Sequence, residues 1–196
     1  FQLTVFDKDM AAPEWIKGGI MYQIFPDRFC RSGEEHENVP ADRIIHSDWY
    51  DTPHYRPDEK GIIRNNDYFA GDLKGIEQKL PYLEELGVTC IYLNPIFESH
   101  ENHRYSTACY EHIDPMLGTD EDFTHLCKEA EKHGINIILD GVFSHTGADS
   151  IYFNKFGRYG EHEGAYRDSN SHYKNWYCFS RYPIEYESWW GISTLP

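Results

Sequence analysis

The chain reads as an α/β protein built on a parallel sheet. Short apolar runs suited to buried strands recur at 20–25, 88–93 and 135–139, and two segments with helical spacing of apolar residues separate them. Parallel strands joined by right-handed crossovers produce this strand–helix–strand–helix–strand order. The third run organises the rest. Ile135, Ile137, Ile138 and Leu139 are apolar and largely β-branched, as a parallel strand buried on both faces requires. Asp140 and His145 follow at its C-terminal end, the edge where such sheets place their working side chains. At this level a turn-capping Asp140 and an ordinary loop His145 explain the same residues equally well.

Each element has its own signals. Ile20-Met21-Tyr22-Gln23-Ile24-Phe25 follows a Gly-Gly pair and is stopped by Pro26, so it is the first strand. Residues 31–66 are charged, rich in turn formers and aperiodic, and read as one long loop. Gly71-Asp72-Leu73-Lys74-Gly75 opens a helical stretch whose Ile76, Leu80, Leu83 and Leu86 share a face, with Gly87 as the stop. Pro81 is expected to break it and open a second turn. After the strand at 88–93 comes a polar loop, 99–110, carrying His100, Asn102, His103, Arg104 and Tyr105. Thr119 caps the next helix with Asp122 as its capping-box partner, and Phe123, Leu126, Cys127 and Ala130 form the apolar face. Gly134 ends that helix. From 147 to 190 the chain is crowded with Tyr, Trp, Gly and charge and shows no period, so it reads as an irregular excursion from the sheet edge.

Composition narrows the partners. With 196 residues the chain can bury a sizeable core, and its 40% hydrophobic content argues against disorder. A formal net charge of −15 repels phosphate backbones and anionic membranes, which excludes nucleic acid and lipid and leaves neutral ligands. The 15 Tyr, 11 Phe and 5 Trp supply flat apolar faces of the kind sugar clefts use, although most must simply fill core. Five cysteines is an odd number. Cys90 and Cys127 read as small core residues, and Cys30, Cys109 and Cys178 show neither paired nor metal-ligand spacing. A reducing, cytoplasmic location is expected, although a chain starting at Phe1 without an initiator Met leaves a secreted parent open. No apolar stretch is long enough to span a membrane.

Several blocks then carry a family resemblance. Tyr22-Gln23-Ile24-Phe25-Pro26-Asp27-Arg28-Phe29 resembles the first-strand signature of the α-amylase family of glycoside hydrolases, especially its neopullulanase and cyclomaltodextrinase branch. Gly71 to Gly75, Leu93 to Phe97, Asn102-His103-Arg104-Tyr105, and Ile113-Asp114-Pro115 with Gly118-Thr119 are similar to successive blocks of that family. Asp140 to His145 resembles its first conserved region, and Trp189-Trp190-Gly191 through Leu195-Pro196 the segment that closes its inserted domain. The blocks run in family order over nearly the whole chain.

The resemblance implies a (β/α)8 TIM barrel with an extra domain after the third strand. A complete barrel needs about 250 residues, so the chain is expected to supply only the first three β/α units. Residues 1–145 would be the N-terminal part of the barrel, 146–190 the inserted domain and 191–196 the start of the return. By resemblance, Asp140 and His145 bind hydroxyls of the sugar at the cleavage subsite, Tyr105 stacks on the same ring, and Asn102 and His103 flank it as further substrate contacts. The family's nucleophile Asp, acid/base Glu and third carboxylate follow later strands, so no catalytic residue is assigned here and the chain alone is expected to hydrolyse nothing. The implied partner is an α-glucan oligosaccharide, with a homodimer as the parent's assembly. No cofactor or metal is expected. Ser144 stands where the family usually has Asn, Ser106 and Cys109 where many members have Asp, and 31–38 lacks the branch's calcium-loop pattern. The oxygens of Glu34, Glu35, Glu37, Asn38 and Asp72 remain as potential calcium ligands. The rival classes are a non-catalytic amylase-like protein of the transporter-accessory type, disfavoured by the retention of Tyr105, Asp140 and His145, and a sugar-binding module, disfavoured by the β/α alternation.

Overall fold

The computed structural model describes residues 3–37 and 39–196. In chain order its strands are β1 (Ile20–Ile24), β2 (Ile44–Ile45), β3 (Asp67–Tyr68), β4 (Val88–Leu93), β5 (Phe97–Ser99), β6 (Thr107–Ile113), β7 (Asn136–Leu139), β8 (Phe179–Arg181) and β9 (Glu185–Tyr186). The helices are α1 (Leu73–Gln78), α2 (Leu80–Glu85) and α3 (Asp120–Lys132). β1, β4 and β7 form the parallel sheet in that order, with Ile24, Leu93 and Leu139 in register at its C-terminal edge. The ladder continues one residue further: the Asn94 amide donates to the Ile24 carbonyl (2.9 Å) and the Asp140 amide to that of Leu93 (3.1 Å).

Local chemistry sets the boundaries. The Asp72 carboxylate caps α1 through the Gly75 amide (2.6 Å). Gly71 and Gly75 are required for another reason. A Cβ on Gly71 would lie 2.2 Å from the Pro26 carbonyl oxygen, and one on Gly75 2.1 Å from that of Cys30, so only glycine lets the helix start press against the 26–30 backbone. Lys79 separates α1 from α2, and Pro81 sits in the first turn of α2, where its missing N–H costs nothing. Thr119 and Asp122 form the expected capping box of α3, and Gly134 ends that helix with φ +67°.

The main core lies between the sheet and the helices, where Ile24, Ile91 and Leu93 meet Leu73, Ile76, Leu80, Leu83, Leu126 and Ala130. Each such buried aliphatic stabilises the fold by about 1.5–3 kcal/mol relative to exposure. β7 departs from the expectation of a strand buried on both faces, because all four of its residues are half-buried. It is an edge strand: Ile137 and Leu139 pack on the core, and Ile138, one residue out of phase, points to the opposite face. Cys127 is likewise half-buried rather than core, Cys90 is buried, and all five thiols are free.

Two regions read as loops contain pairing. β2 and β3 form a short parallel pair that ties 44–45 to 67–68. β5 and β6 form an antiparallel hairpin whose tip is 100–106. The excursion has a core of its own around Phe153, whose ring centroid lies 4.7 Å from that of Tyr177, 4.8 Å from Tyr186, 5.5 Å from Tyr166 and 5.9 Å from Phe179. Among the described residues no helix is long and apolar enough to cross a membrane.

Candidate functional site

Asp140 follows β7 directly, so the ladder bond from its amide fixes its side chain at the C-terminal edge of the sheet. The β5–β6 tip reaches the same edge. Arg104 is fully buried there with φ +61°; its guanidinium lies 3.3 Å from the Asp114 carboxylate and donates to the Asn102 carbonyl (2.9 Å). This buried anchor reverses the chain and leaves the next residue, Tyr105, facing Asp140. The phenol donates to Asp140 Oδ2 (2.9 Å). Burial first, and the Asp140 hydrogen bond second, push the Tyr105 hydroxyl up to about 12, so it remains a donor at neutral pH.

His145 closes the group. Its Nε2 lies 3.0 Å from the Tyr105 carbonyl oxygen and its Nδ1 3.0 Å from the Ser144 hydroxyl. Burial lowers its pKa, outweighing the carbonyl bond that raises it, so the ring is neutral, with Nε2–H donating and Nδ1 accepting. Ser144 is exposed, and rotation of its hydroxyl frees Nδ1 for another donor. The 140–145 turn is held by Tyr110, whose hydroxyl donates to the carbonyls of Val142 and His145.

The other two candidate residues are placed differently. His103 is half-buried behind Tyr105; its Nδ1 accepts the Tyr105 amide (3.0 Å), and its Nε2 lies 3.5 Å from Glu101. Burial alone would raise the Glu101 carboxyl, but hydrogen bonds from His103, Ser106 and Asn65 outweigh it and hold the group at about 2. Asn102 departs from the expected substrate contact. It is 7% exposed and its amide donates to the Asp67 carbonyl (2.9 Å) and carboxylate (3.2 Å), so it fastens the tip to β3. Arg104, a loop residue without a role in the sequence, is the anchor of the tip. A charged residue between Tyr105 and Asn102 offers no periodic signal that it is buried, and Asp114, its partner, lies ten positions on, just past the end of β6.

The chemistry follows from the groups present. One carboxylate, one neutral imidazole and one phenol offer acceptors and a donor to hydroxyls in a small space. Such groups are chemically able to hold a polyhydroxylated ligand; cleavage of a glycosidic bond with retention needs two carboxyl groups about 5–5.5 Å apart. A cleft of about 790 Å³ opens beside His145, between the 143–146 turn and the end of the excursion.

Of the oxygens named as potential calcium ligands, those of Asp72 and Glu34 already have other partners. The Asp72 carboxylate already accepts from Ser32 Oγ (2.6 Å), the Gly75 amide and His36 Nε2 (3.1 Å), a nitrogen where a hard cation takes oxygen. Glu34 pairs with Lys74 (3.0 Å). Asn38 lies outside the described residues. Among the described residues no group of three or more His, Cys, Asp or Glu side chains is arranged to hold a metal.

Comparison with known proteins identifies the family. The profile of the alpha amylase catalytic domain matches residues 23–191. The amylopullulanase of Thermoanaerobacterium saccharolyticum is 48% identical over all of this chain, which spans 17% of that protein. Neopullulanase 2 of Thermoactinomyces vulgaris is 39% identical over 88% of the chain, corresponding to 26% of its own length. The solved cyclic alpha-maltosyl-(1→6)-maltose hydrolase of Arthrobacter globiformis superposes with a TM-score of 0.75 at 32% identity, covering 95% of this chain and 38% of the hydrolase. The chain thus spans 17% and 26% of the two curated relatives named, and it belongs to the alpha-amylase catalytic domain family.

Proposed function

We propose that this chain is the N-terminal part of a glycoside hydrolase that cleaves α-glucosidic bonds in starch-derived oligosaccharides, maltodextrins or cyclodextrins by a retaining mechanism, and that it supplies substrate-holding groups and not the catalytic carboxylates. The observation that carries the reading is the hydrogen-bonded set Tyr105–Asp140–His145 at the C-terminal edge of the parallel sheet. Asp140 accepts a sugar hydroxyl, the neutral His145 accepts a second through Nδ1, and the Tyr105 ring covers an apolar sugar face. Residues 1–145 are the first three β/α units of a (β/α)8 barrel, 146–190 the inserted domain and 191–196 the start of the return. The relatives support this reading, since those named above are called amylopullulanase, neopullulanase 2 and cyclic alpha-maltosyl-(1→6)-maltose hydrolase. No step is routed through a metal.

The test is calorimetric titration with maltotetraose alongside reducing-sugar release from maltotetraose and a cyclodextrin. The chain is expected to bind without turnover. Asp140→Ala should weaken binding about tenfold or more, the worth of one hydrogen bond to a charged group. Binding untouched by Asp140→Ala, or turnover by the chain that Asp140→Ala abolishes, would refute this division of labour.

A further inference from the structure

Tyr92 stands on β4, the central strand of the parallel sheet, on the face turned away from the helices. Ile24, Leu93 and Leu139 form one row across the sheet and pack on the core. Gln23, Tyr92 and Ile138 form the row before it, so their side chains leave the sheet on the opposite face. Asp140 is two residues beyond Ile138 and shares that face. The Tyr92 phenol reaches up one row and hydrogen-bonds to the Asp140 carboxylate. Burial first, and that bond second, raise the Tyr92 hydroxyl above its ordinary 10, so it is a donor at neutral pH. Tyr105 approaches the same carboxylate from the hairpin tip (2.9 Å), and the two phenols lie close enough for Tyr92 to raise the Tyr105 hydroxyl as well.

A tyrosine that only filled space on this face would be exchangeable for an aliphatic such as Ile138, its neighbour in the row. The polar tip of Tyr92 has a partner that an aliphatic could not serve. Asn94, which follows Leu93 as Asp140 follows Leu139, is turned aside: its Oδ1 accepts from Gln23 Nε2 (2.7 Å). The Asp140 carboxylate is therefore gripped from two directions, by a strand-borne phenol in the preceding row and by a tip-borne phenol across from it. A carboxylate offers about four lone-pair sites, so acceptor sites remain after both phenols have donated. One donor leaves the group free to turn about its Cβ–Cγ bond, whereas two donors from different elements fix its plane. A group supported by a strand is also placed more precisely than one supported by a loop alone.

We infer that Tyr92 is a positioning residue: together with Tyr105 it clamps the Asp140 carboxylate in the plane that receives a sugar hydroxyl, without touching the sugar itself. This rests on the proposed glucan binding. The test is a double-mutant cycle read by calorimetric titration of the full 196-residue chain with maltotetraose. It compares wild type, Tyr92→Phe, Asp140→Ala, the double variant and Ile138→Val. Tyr92→Phe keeps the ring and removes the polar tip, and it should weaken binding about three- to tenfold, the worth of one hydrogen bond. On the Asp140→Ala background the same substitution should change affinity by no more than about twofold, the resolution of such a cycle, because its partner is gone. Ile138→Val trims the same row without touching a polar group and should leave affinity unchanged. Equal losses from Tyr92→Phe on the two backgrounds, or a loss in Ile138→Val as large as that in Tyr92→Phe, would identify a packing role and overturn the inference. Affinity that falls in Asp140→Ala but ignores Tyr92→Phe would overturn it while leaving the glucan reading standing. Affinity untouched by Asp140→Ala, or no binding of maltotetraose at all, would remove both.

Discussion

The α/β half and the excursion bury comparable side chains under different rules. In the α/β half, aliphatics projecting from regular elements meet across a sheet and three helices, and the ladders and helices satisfy the backbone. In the excursion, rings gather around Phe153 on a backbone with only one two-stranded pair, β8 with β9. Backbone groups there pair largely in turns, and phenols supply further partners in and around the excursion. Tyr152 accepts the Tyr110 amide (2.9 Å), Tyr186 donates to the Ser193 carbonyl (2.7 Å) and Tyr182 to that of Tyr166 (3.2 Å). A ring with a polar tip fills volume and closes an irregular backbone at once, which an aliphatic cannot do.

The largest test of that contrast is a pair of core truncations. Phe153→Ala should cost about 3–5 kcal/mol and Leu83→Ala about 2–5 kcal/mol, both fully buried sites that leave a cavity. Their reach should differ. Phe153→Ala should raise hydrogen exchange across 148–186 and spare β1 and β4, whereas Leu83→Ala should lower protection in both regions. Equal loss everywhere in Phe153→Ala would mean one cooperative unit and would erase the distinction. A smaller test removes only a polar tip. The Tyr177 hydroxyl lies 2.8 Å from Thr146 Oγ1, and Tyr177→Phe should cost about 1 kcal/mol in denaturant melts. A cost near zero would show that the phenols fill space and nothing more.

The same contrast separates what sequence made legible from what it did not. Periodicity and caps exposed the alternation, the Thr119–Asp122 box, the Pro81 break and the turn at Gly134, because each depends on residues within a few positions. Asp140 and His145 stood out because they follow a strand end. The hairpin that carries Tyr105 stayed hidden: β5 has three residues, two of them half-buried, and shows no alternation. Long-range polar contacts were also invisible. The buried Asp27 accepts the Phe69 and Ala70 amides, more than forty positions away, and so sets the chain entering α1. Asn102 looked like a ligand contact because its neighbours do; only the position of Asp67 reveals that its amide is already engaged.

The smallest expected effect is one of pH, and it divides the two regions again. His36 pins the 31–69 segment to the cap of α1, and His46 ties that segment together internally at β3. His36 faces Asp72, Glu34 and Asp122, and hydrogen bonding to Asp72 raises its pKa above the ordinary 6.5. His46 faces Asp67, Asp51 and the His54 ring, and hydrogen bonding to Asp67 (2.9 Å) raises it likewise. Burial alone would raise the Asp67 and Asp72 carboxyls, but hydrogen bonds from His54 and His46, and from His36, Ser32 and Gly75, bring both below the ordinary 3.8. A raised histidine contributes stability fully below pH 6.5 and loses it as pH rises through the folded value. A depressed carboxylate contributes above 3.8 and loses it as pH falls through its folded value. Both contributions are complete between about pH 4 and 6.5, so stability in urea melts should decline from pH 6.5 upward, and His36→Gln with His46→Gln should flatten that decline. The excursion has no such dependence through its phenols, since burial pushes Tyr152 up to about 12 and Tyr177 further in the same direction. Hydrogen exchange at pH 6 and pH 8, corrected for intrinsic rates, should therefore show protection falling in 31–69 and unchanged in 148–186. A parallel fall in both would mean that the aromatic core leans on the histidine-pinned segment, and the two regions would have to be treated as one.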